Sequence, residues 1–178
     1  MDLASYSVRD FDRGAPRWQE ALWMVVKNII FLNPWPWPSA LRVALLRMFG
    51  AKIGQGVVIR SRVNITFPWR LTIGDHVWIG EEVCILSLAP VQIGSNVCLS
   101  QRAFLCTGSH DFRKPTFDLK TAPITIGDRC WIAAQSFIAA GVEVGAGTVV
   151  GAGSVVLKSA PAGVFFGGNP AKFVRTIT

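Results

Sequence analysis

Charge is scarce in this chain of 178 residues: Asp, Glu, Lys and Arg together make up 16% of it. No dense basic run and no interleaving of aromatic with basic residues occurs, so nothing points to nucleic acid. The net charge of +7 is spread out, with seven Lys/Arg against four Asp/Glu in residues 1–52 and eleven against seven in 53–178. A mild positive field of this kind suits anionic ligands such as phosphates. Histidine is scarcer still, with only His76 and His110. That count excludes a three-histidine zinc site, and Cys84, Cys98, Cys106 and Cys130 lack metal-ligand spacing. With no secretory signal before the fold, the cysteines read as reduced thiols filling small sites in a cytosolic protein. There is no Gly-x-Ser-x-Gly elbow and no P-loop. No helical stretch offers the ~20 apolar residues needed to span a bilayer.

Apolar residues, by contrast, make up 51% of the chain. That is enough for one domain with a real core and with apolar surface left over for neighbours, so an oligomer is expected. The pattern they follow has a period of six. Ile53, Ile59, Ile65, Ile73, Ile79, Ile85, Ile93, Leu99, Leu105, Ile126, Ile132, Ile138, Val144, Val150 and Val156 each open a hexad. Four residues later stands a smaller side chain, Trp69 being the one bulky case, and Gly often follows the opener. This period fits neither a helix nor an ordinary strand. It fits short strands joined by tight corners in a parallel β-helix, three hexads to a triangular coil. Five coils follow, starting near Ile53, Ile73, Ile93, Ile126 and Val144. Glycine at a corner is expected to supply backbone angles that a Cβ resists. Two-residue insertions at 71–72 and 91–92 fall at the same corner, giving matched openings at Leu71, Val91 and Ile124.

Residues 1–52 form an N-terminal helical cap, 53–161 the β-helix with a loop excursion at 111–125, and 162–178 a tail that leaves the prism. Within the cap, Tyr6, Arg9, Asp10 and Phe11 belong to an irregular stretch. Trp18 to Leu32 reads as a helix with Trp18, Leu22, Val25, Ile29 and Leu32 on one stripe and apolar residues almost all round. Such a helix is buried or meets lipid. Three prolines in 34–38 end it, and Ser39 is expected to cap a second helix running to about Phe49. That helix carries a stripe of Leu41, Leu45 and Met48, with Arg42 and Arg47 off it. The helices cover the first coils, and residues 18–49 are also a candidate for peripheral contact with the inner face of a membrane, with tryptophans at headgroup depth.

His76 is expected to face solvent. His110 ends the third coil at the root of the long loop, beside Ser109 at an inward position. A neutral imidazole there can accept a proton from an attacking hydroxyl or amine.

The hexads, the Thr107-Gly-Ser-His-Asp111 run, the Ile126-Gly-Asp-Arg-Cys-Trp131 restart and the Gly168-Asn-Pro-Ala-Lys172 tail together resemble the hexapeptide-repeat acyltransferases. Within that family the likeness is to the acetyltransferases of colanic-acid biosynthesis, through Leu46-Arg-Met-Phe-Gly-Ala-Lys-Ile-Gly54 and Cys106 to Asp111. The resemblance implies a left-handed β-helix assembled as a homotrimer, with acetyl-CoA as acyl donor in the cleft between subunits and no metal. It implies His110 as general base for direct transfer, with a backbone N–H near a coil corner stabilising the oxyanion. Carried over by position, Trp131 lines the pantetheine path and Ala134 and Ala152 offer backbone groups to its amides. Lys158, Lys172 and Arg175 stand near the CoA phosphates. Glu82 occupies a place of acceptor contact where several relatives carry Asn, and Asp111 is a second acceptor-side candidate or a loop anchor. Arg62 and Asn64 project from the early coils. The expected activity is O-acetylation of a sugar in surface or exopolysaccharide biosynthesis, in the cytoplasm. The alternatives are N-acetylation of an amino sugar and a non-catalytic oligomerisation scaffold.

Overall fold

Each hexad opener becomes the inward residue of a strand two or three residues long in the computed structural model, which describes residues 3–8 and 11–177. Arg9 and Asp10 lie outside the described residues. Three parallel walls result. The first stacks Lys52–Ile53, Leu71–Ile73, Val91–Ile93, Ile124–Ile126 and Glu143–Val144. The second stacks Val58–Ile59, Trp78–Ile79, Cys98–Leu99, Trp131–Ile132 and Val149–Val150, and the third Asn64–Ile65, Cys84–Leu86, Phe104–Cys106, Phe137–Ile138 and Val155–Val156. Leu71, Val91 and Ile124 lie in register, so the phased openings mark one corner. The chain is thus an all-β parallel β-helix with N-terminal helices, and the opener columns fill its axis. Burying each such aliphatic side chain contributes roughly 1.5–3 kcal/mol.

The glycines after the openers serve a different purpose from the one expected. Left-handed backbone at the corners is carried by His76, Asn96 and Arg129 with Gly56 and Gly147 on one edge, and by Arg62, Glu82, Arg102 and Gln135 with Gly153 on the next, two residues or more beyond the glycines that follow the openers. The Arg62 amide donates to Phe31 O of the N-terminal cap at 2.7 Å, and those of the later coils donate to the preceding coil, as in Glu82 N–H to Ser61 O at 3.3 Å, Arg102 to Glu81 at 2.9 Å and Gln135 to Gln101 at 3.0 Å. Those bonds offset the cost of a positive φ in a residue with a Cβ. Gly127 and Gly145 are needed because successive coils touch: a Cβ there would lie 2.6 Å from the Ala146 nitrogen and 2.4 Å from that of Ala162.

The C-terminal segment does not leave the prism as expected. Val164–Gly168 adds a sixth parallel strand to the second wall, Ala160 bridges to Val144, and Ala171–Thr176 folds back antiparallel. Val164 and Phe166 continue the buried columns, which is why the chain stays on the stack.

At the other end, helix α1 (Arg17–Val26) runs on into a turn of π geometry, Lys27–Phe31, and α2 spans Ser39–Met48. The face of α1 that is buried is not the expected stripe. Trp23 and Phe31 are buried, in edge-on ring contact at 5.1 Å, and the Trp23 indole donates to the Ile65 carbonyl at 3.0 Å. Trp18, Leu22, Val25 and Ile29 face outward. In α2 the buried residues are Arg42, Val43 and Leu46, while Met48 is exposed. The Arg42 guanidinium is satisfied by donating to the carbonyls of Trp37 at 2.8 Å and of Ile30 and Ile59 at 3.3 Å each. Charge off the apolar stripe is therefore buried, because the proline-rich turn and the first coil converge their carbonyls on it. Ser39 is the first helical residue and Pro38 the cap. The Ser39 hydroxyl accepts from the Ile59 amide at 2.8 Å and so ties α2 to the second wall.

Candidate active site

The third coil is interrupted after Thr107. There the chain leaves as an antiparallel hairpin, Gly108–His110 against Leu119–Thr121, rather than as an irregular loop. The hexad phase stops at Leu105, and buried Cys106 and Thr107 turn the corner, so Ser109 is exposed rather than inward. Thr107 was not singled out from the sequence, yet it clamps the root of the hairpin. Its hydroxyl donates to Leu86 O and accepts from the Ala89 amide at 3.0 Å, and its carbonyl accepts from Ala122 at 3.0 Å.

His110 is half-buried on this hairpin. Its Nδ1 lies 2.9 Å from the carbonyl oxygen of Phe117 across the hairpin tip. A carbonyl can only accept, so Nδ1 carries the proton in the neutral ring and the Nε2 lone pair is the proton-accepting site. The Tyr6 ring meets the imidazole edge-on at 5.5 Å. Residue 6 arrives there because the N-terminal segment runs along the same edge of the prism. Phe11 stacks on Phe67, and the Trp69 indole donates to Arg13 O at 2.7 Å.

Asp111 is buried, and its carboxylate is taken up inside the hairpin. One oxygen meets Lys120 Nζ at 2.8 Å and the other meets Arg113 Nε at 3.2 Å. The hydrogen bond from Lys120, and then those from Arg113, hold its pKa down at about 2. This is the geometry of a loop anchor. Glu82 stands at the corner between the second and third walls, bracketed by Arg102 at 2.7 Å and Arg62 at 3.2 Å. Hydrogen bonding to Arg102 first, then to Arg62, holds its carboxyl below the usual range. Asn64, on the outer side of the third wall, has a buried Oδ1 without a hydrogen-bond partner among the described residues.

The same corner carries Ala134 and Ala152 in successive coils, where small side chains leave the backbone approachable. Beside them on the second wall, Trp131 is exposed and its indole donates to Ser100 Oγ at 2.8 Å. A cavity of about 450 Å³ opens on this wall next to Trp78, with Arg60, Glu81, Ser100 and Gln101 in its lining. Lys172 and Arg175 are exposed on the last strand, and Lys158 is exposed at the corner between the third and first walls. A single chain therefore brings Glu82, Ala134, Ala152 and Trp131 together, and sets His110 and Lys158 on the next edge, across the third wall. His76 is exposed at its corner.

Burial raises the thiols of Cys84 and Cys130 above their ordinary value, which keeps them protonated and unreactive as nucleophiles. Among the described residues no three His, Cys, Asp or Glu side chains are grouped as metal ligands, and no helix is long and apolar enough to cross a membrane.

Residues 123–158 match the bacterial transferase hexapeptide (six repeats) family, and 70–100 match the hexapeptide repeat of succinyl-transferase. The chain is 47% identical over 178 residues to the putative colanic acid biosynthesis acetyltransferase WcaF of Escherichia coli K12, covering 98% of this chain and 96% of that protein. The hexapeptide-repeat acetyltransferase VCA0836 of Vibrio cholerae, solved in complex with acetyl-CoA, superposes with a TM-score of 0.83 at 29% identity, covering 91% of this chain and 88% of that one. A galactoside acetyltransferase in complex with coenzyme A gives a TM-score of 0.82 at 25% identity, covering 91% and 82%.

Proposed function

The chain belongs to the hexapeptide-repeat acetyltransferases, and from that premise we propose that it transfers the acetyl group of acetyl-CoA to a sugar hydroxyl in exopolysaccharide biosynthesis. The observation that carries the reading is the tautomer of His110. With Nδ1–H committed to Phe117 O, Nε2 is free to take the proton of an acceptor hydroxyl. The hydroxyl oxygen bonds to the thioester carbonyl carbon, and a corner amide stabilises the resulting oxyanion. The carbon–sulfur bond then breaks, and the proton held on Nε2 returns to the departing thiolate. No acyl-enzyme forms.

The donor is proposed to lie along the corner of Ala134 and Ala152, its pantetheine arm against Trp131 and its phosphates toward Lys158, Lys172 and Arg175. Because that corner and His110 sit on different edges of one prism, the site is completed between subunits of a homotrimer. The outward residues of the walls support this. Those of the first wall are polar (Lys52, Thr72, Gln92, Glu143), whereas Cys84, Phe104, Phe137 and Val155 on the third and Trp78, Cys98, Trp131 and Val149 on the second suit burial against neighbours. Glu82 is proposed on the acceptor side, held by its two arginines, with Asp111 holding the hairpin. The acceptor is proposed to be lipid-linked and modified in the cytoplasm, with peripheral contact of the membrane through the N-terminal helices.

Thioester consumption measured with paired hydroxy and amino sugars tests the reading. An ester product from the hydroxy sugar is expected. Amide formation alone would move the assignment to N-acetylation, and the absence of coenzyme A binding in calorimetry would leave only a scaffold.

A further inference from the structure

The outward stripe of α1 is too apolar for a surface that meets only water. Trp18, Leu22, Val25 and Ile29, between 50% and 68% exposed, succeed one another at helical spacing. The band continues into the proline-rich turn. Exposed Trp37 donates from its indole to the Ile29 carbonyl at 3.2 Å, and Trp35 is exposed beside it. Contiguous exposed apolar residues on this scale mark a contact surface. The core has already taken its share of this helix through Trp23 and Phe31, so the band is what remains after packing.

We infer that this face docks on an anionic phospholipid surface, entering to headgroup depth. Indole rings stand at both ends of the stripe, and amphipathic rings of this kind favour the boundary between headgroup and acyl chain. The charges are arranged to match. No carboxylate lies on the stripe: Glu20 is turned away into an ion pair with Arg13, while Arg17 is exposed at the start of the helix. The net charge of +7 adds a general attraction to anionic lipid. The contact is narrower than residues 18–49, because α2 commits Arg42, Val43 and Leu46 to the core.

Docking in this way also orients the molecule. Two adjoining cavities of about 290 and 450 Å³ share Val58, Arg60 and Glu81. The smaller leads from Pro36 and Trp37 at the docking face to Ser61 and Glu81, beside the corner of Glu82. A headgroup-anchored sugar would enter this trough without leaving the bilayer. That consequence rests on the proposed lipid-linked acceptor, whereas the docking itself does not.

The test is cosedimentation of the full chain with vesicles of phosphatidylglycerol and phosphatidylethanolamine, against vesicles of phosphatidylcholine alone. The chain should bind the anionic vesicles, and Leu22→Ser with Ile29→Ser should weaken partition roughly tenfold or more, given the apolar area withdrawn. Phe173→Ser, exposed at the far end of the stack, should bind as the unaltered chain does. Failure of the unaltered chain to bind, or equal binding by the Leu22/Ile29 variant, overturns the inference. So does a change of oligomeric mass in that variant without vesicle binding, since a second copy would then cover the face. Acetyl transfer to soluble and to lipid-linked sugars separates the two claims: transfer without vesicle binding sinks only the docking face, and vesicle binding without transfer to either kind of sugar sinks only the proposed acetyl transfer.

Discussion

The rings of His110 and Phe117 lie parallel, 2° apart in plane with centroids 4.3 Å from each other, while the backbone carbonyl of the same Phe117 receives the imidazole Nδ1–H at 2.9 Å. One residue thus fixes both the tilt of the imidazole and its tautomer. Phe117 manages this from a left-handed backbone with φ of +51°, a conformation that turns its carbonyl back across the hairpin.

Removing the ring while keeping the carbonyl should loosen the imidazole without changing its tautomer. An aromatic pair of this kind is worth ~0.5–1.5 kcal/mol, so Phe117→Ala should lower kcat about two- to tenfold. KM for acetyl-CoA should be unchanged. Steady-state kinetics checks both, and a rise in that KM with kcat intact would assign Phe117 to donor binding instead.

The Asp111 carboxyl sits at about 2, below its unfolded value near ~3.9. A carboxyl depressed on folding contributes stability above its unfolded pKa and loses it as pH falls through the folded one. The carboxylate's contribution to the hairpin should therefore be full above ~4 and be lost progressively as pH falls from there through 2. Carbon-detected titration of the Asp111 carboxyl should give a midpoint near 2. Asp111→Asn should speed amide exchange at Leu119 and Lys120 at neutral pH, because it removes the charge that Lys120 and Arg113 hold, and the difference should fade as pH falls to 2.

Close stacking of the coils makes a sharp contrast between two glycines. Gly145→Ala puts a methyl 2.4 Å from a backbone nitrogen and should cost about 1–3 kcal/mol. Gly153 has φ of +67°, and apart from its chain neighbours none of the described residues comes within 4 Å of its missing Cβ. Gly153→Ala should therefore cost only the left-handed strain, about 1 kcal/mol. Chemical denaturation of the two variants should rank them in that order.

The columns, the corner phasing and the place of the hairpin were legible because a six-residue period leaves few other ways to bury the openers. The exposed side of α1 was not. In a helix apolar nearly all round, periodicity cannot choose a face, and the choice is made by the Trp23 indole finding the Ile65 carbonyl 42 residues away. Arg42 was misplaced for a related reason, since the carbonyls that satisfy it come from three separate segments. Glu82 could have been read further: Arg62, Glu82 and Arg102 are spaced by one coil of twenty residues, so their ion pairs follow from the repeat. Thr107 left no such signal, because its role depends on where the chain departs from the period.

The central claim is that the imidazole of His110 takes the acceptor's proton, and one variant addresses it directly. Turnover and coenzyme A affinity should be measured side by side for the unaltered chain and for His110→Ala. A fall in turnover of ~10²–10⁴ with coenzyme A bound as before is the predicted result. Turnover that survives the substitution would contradict it.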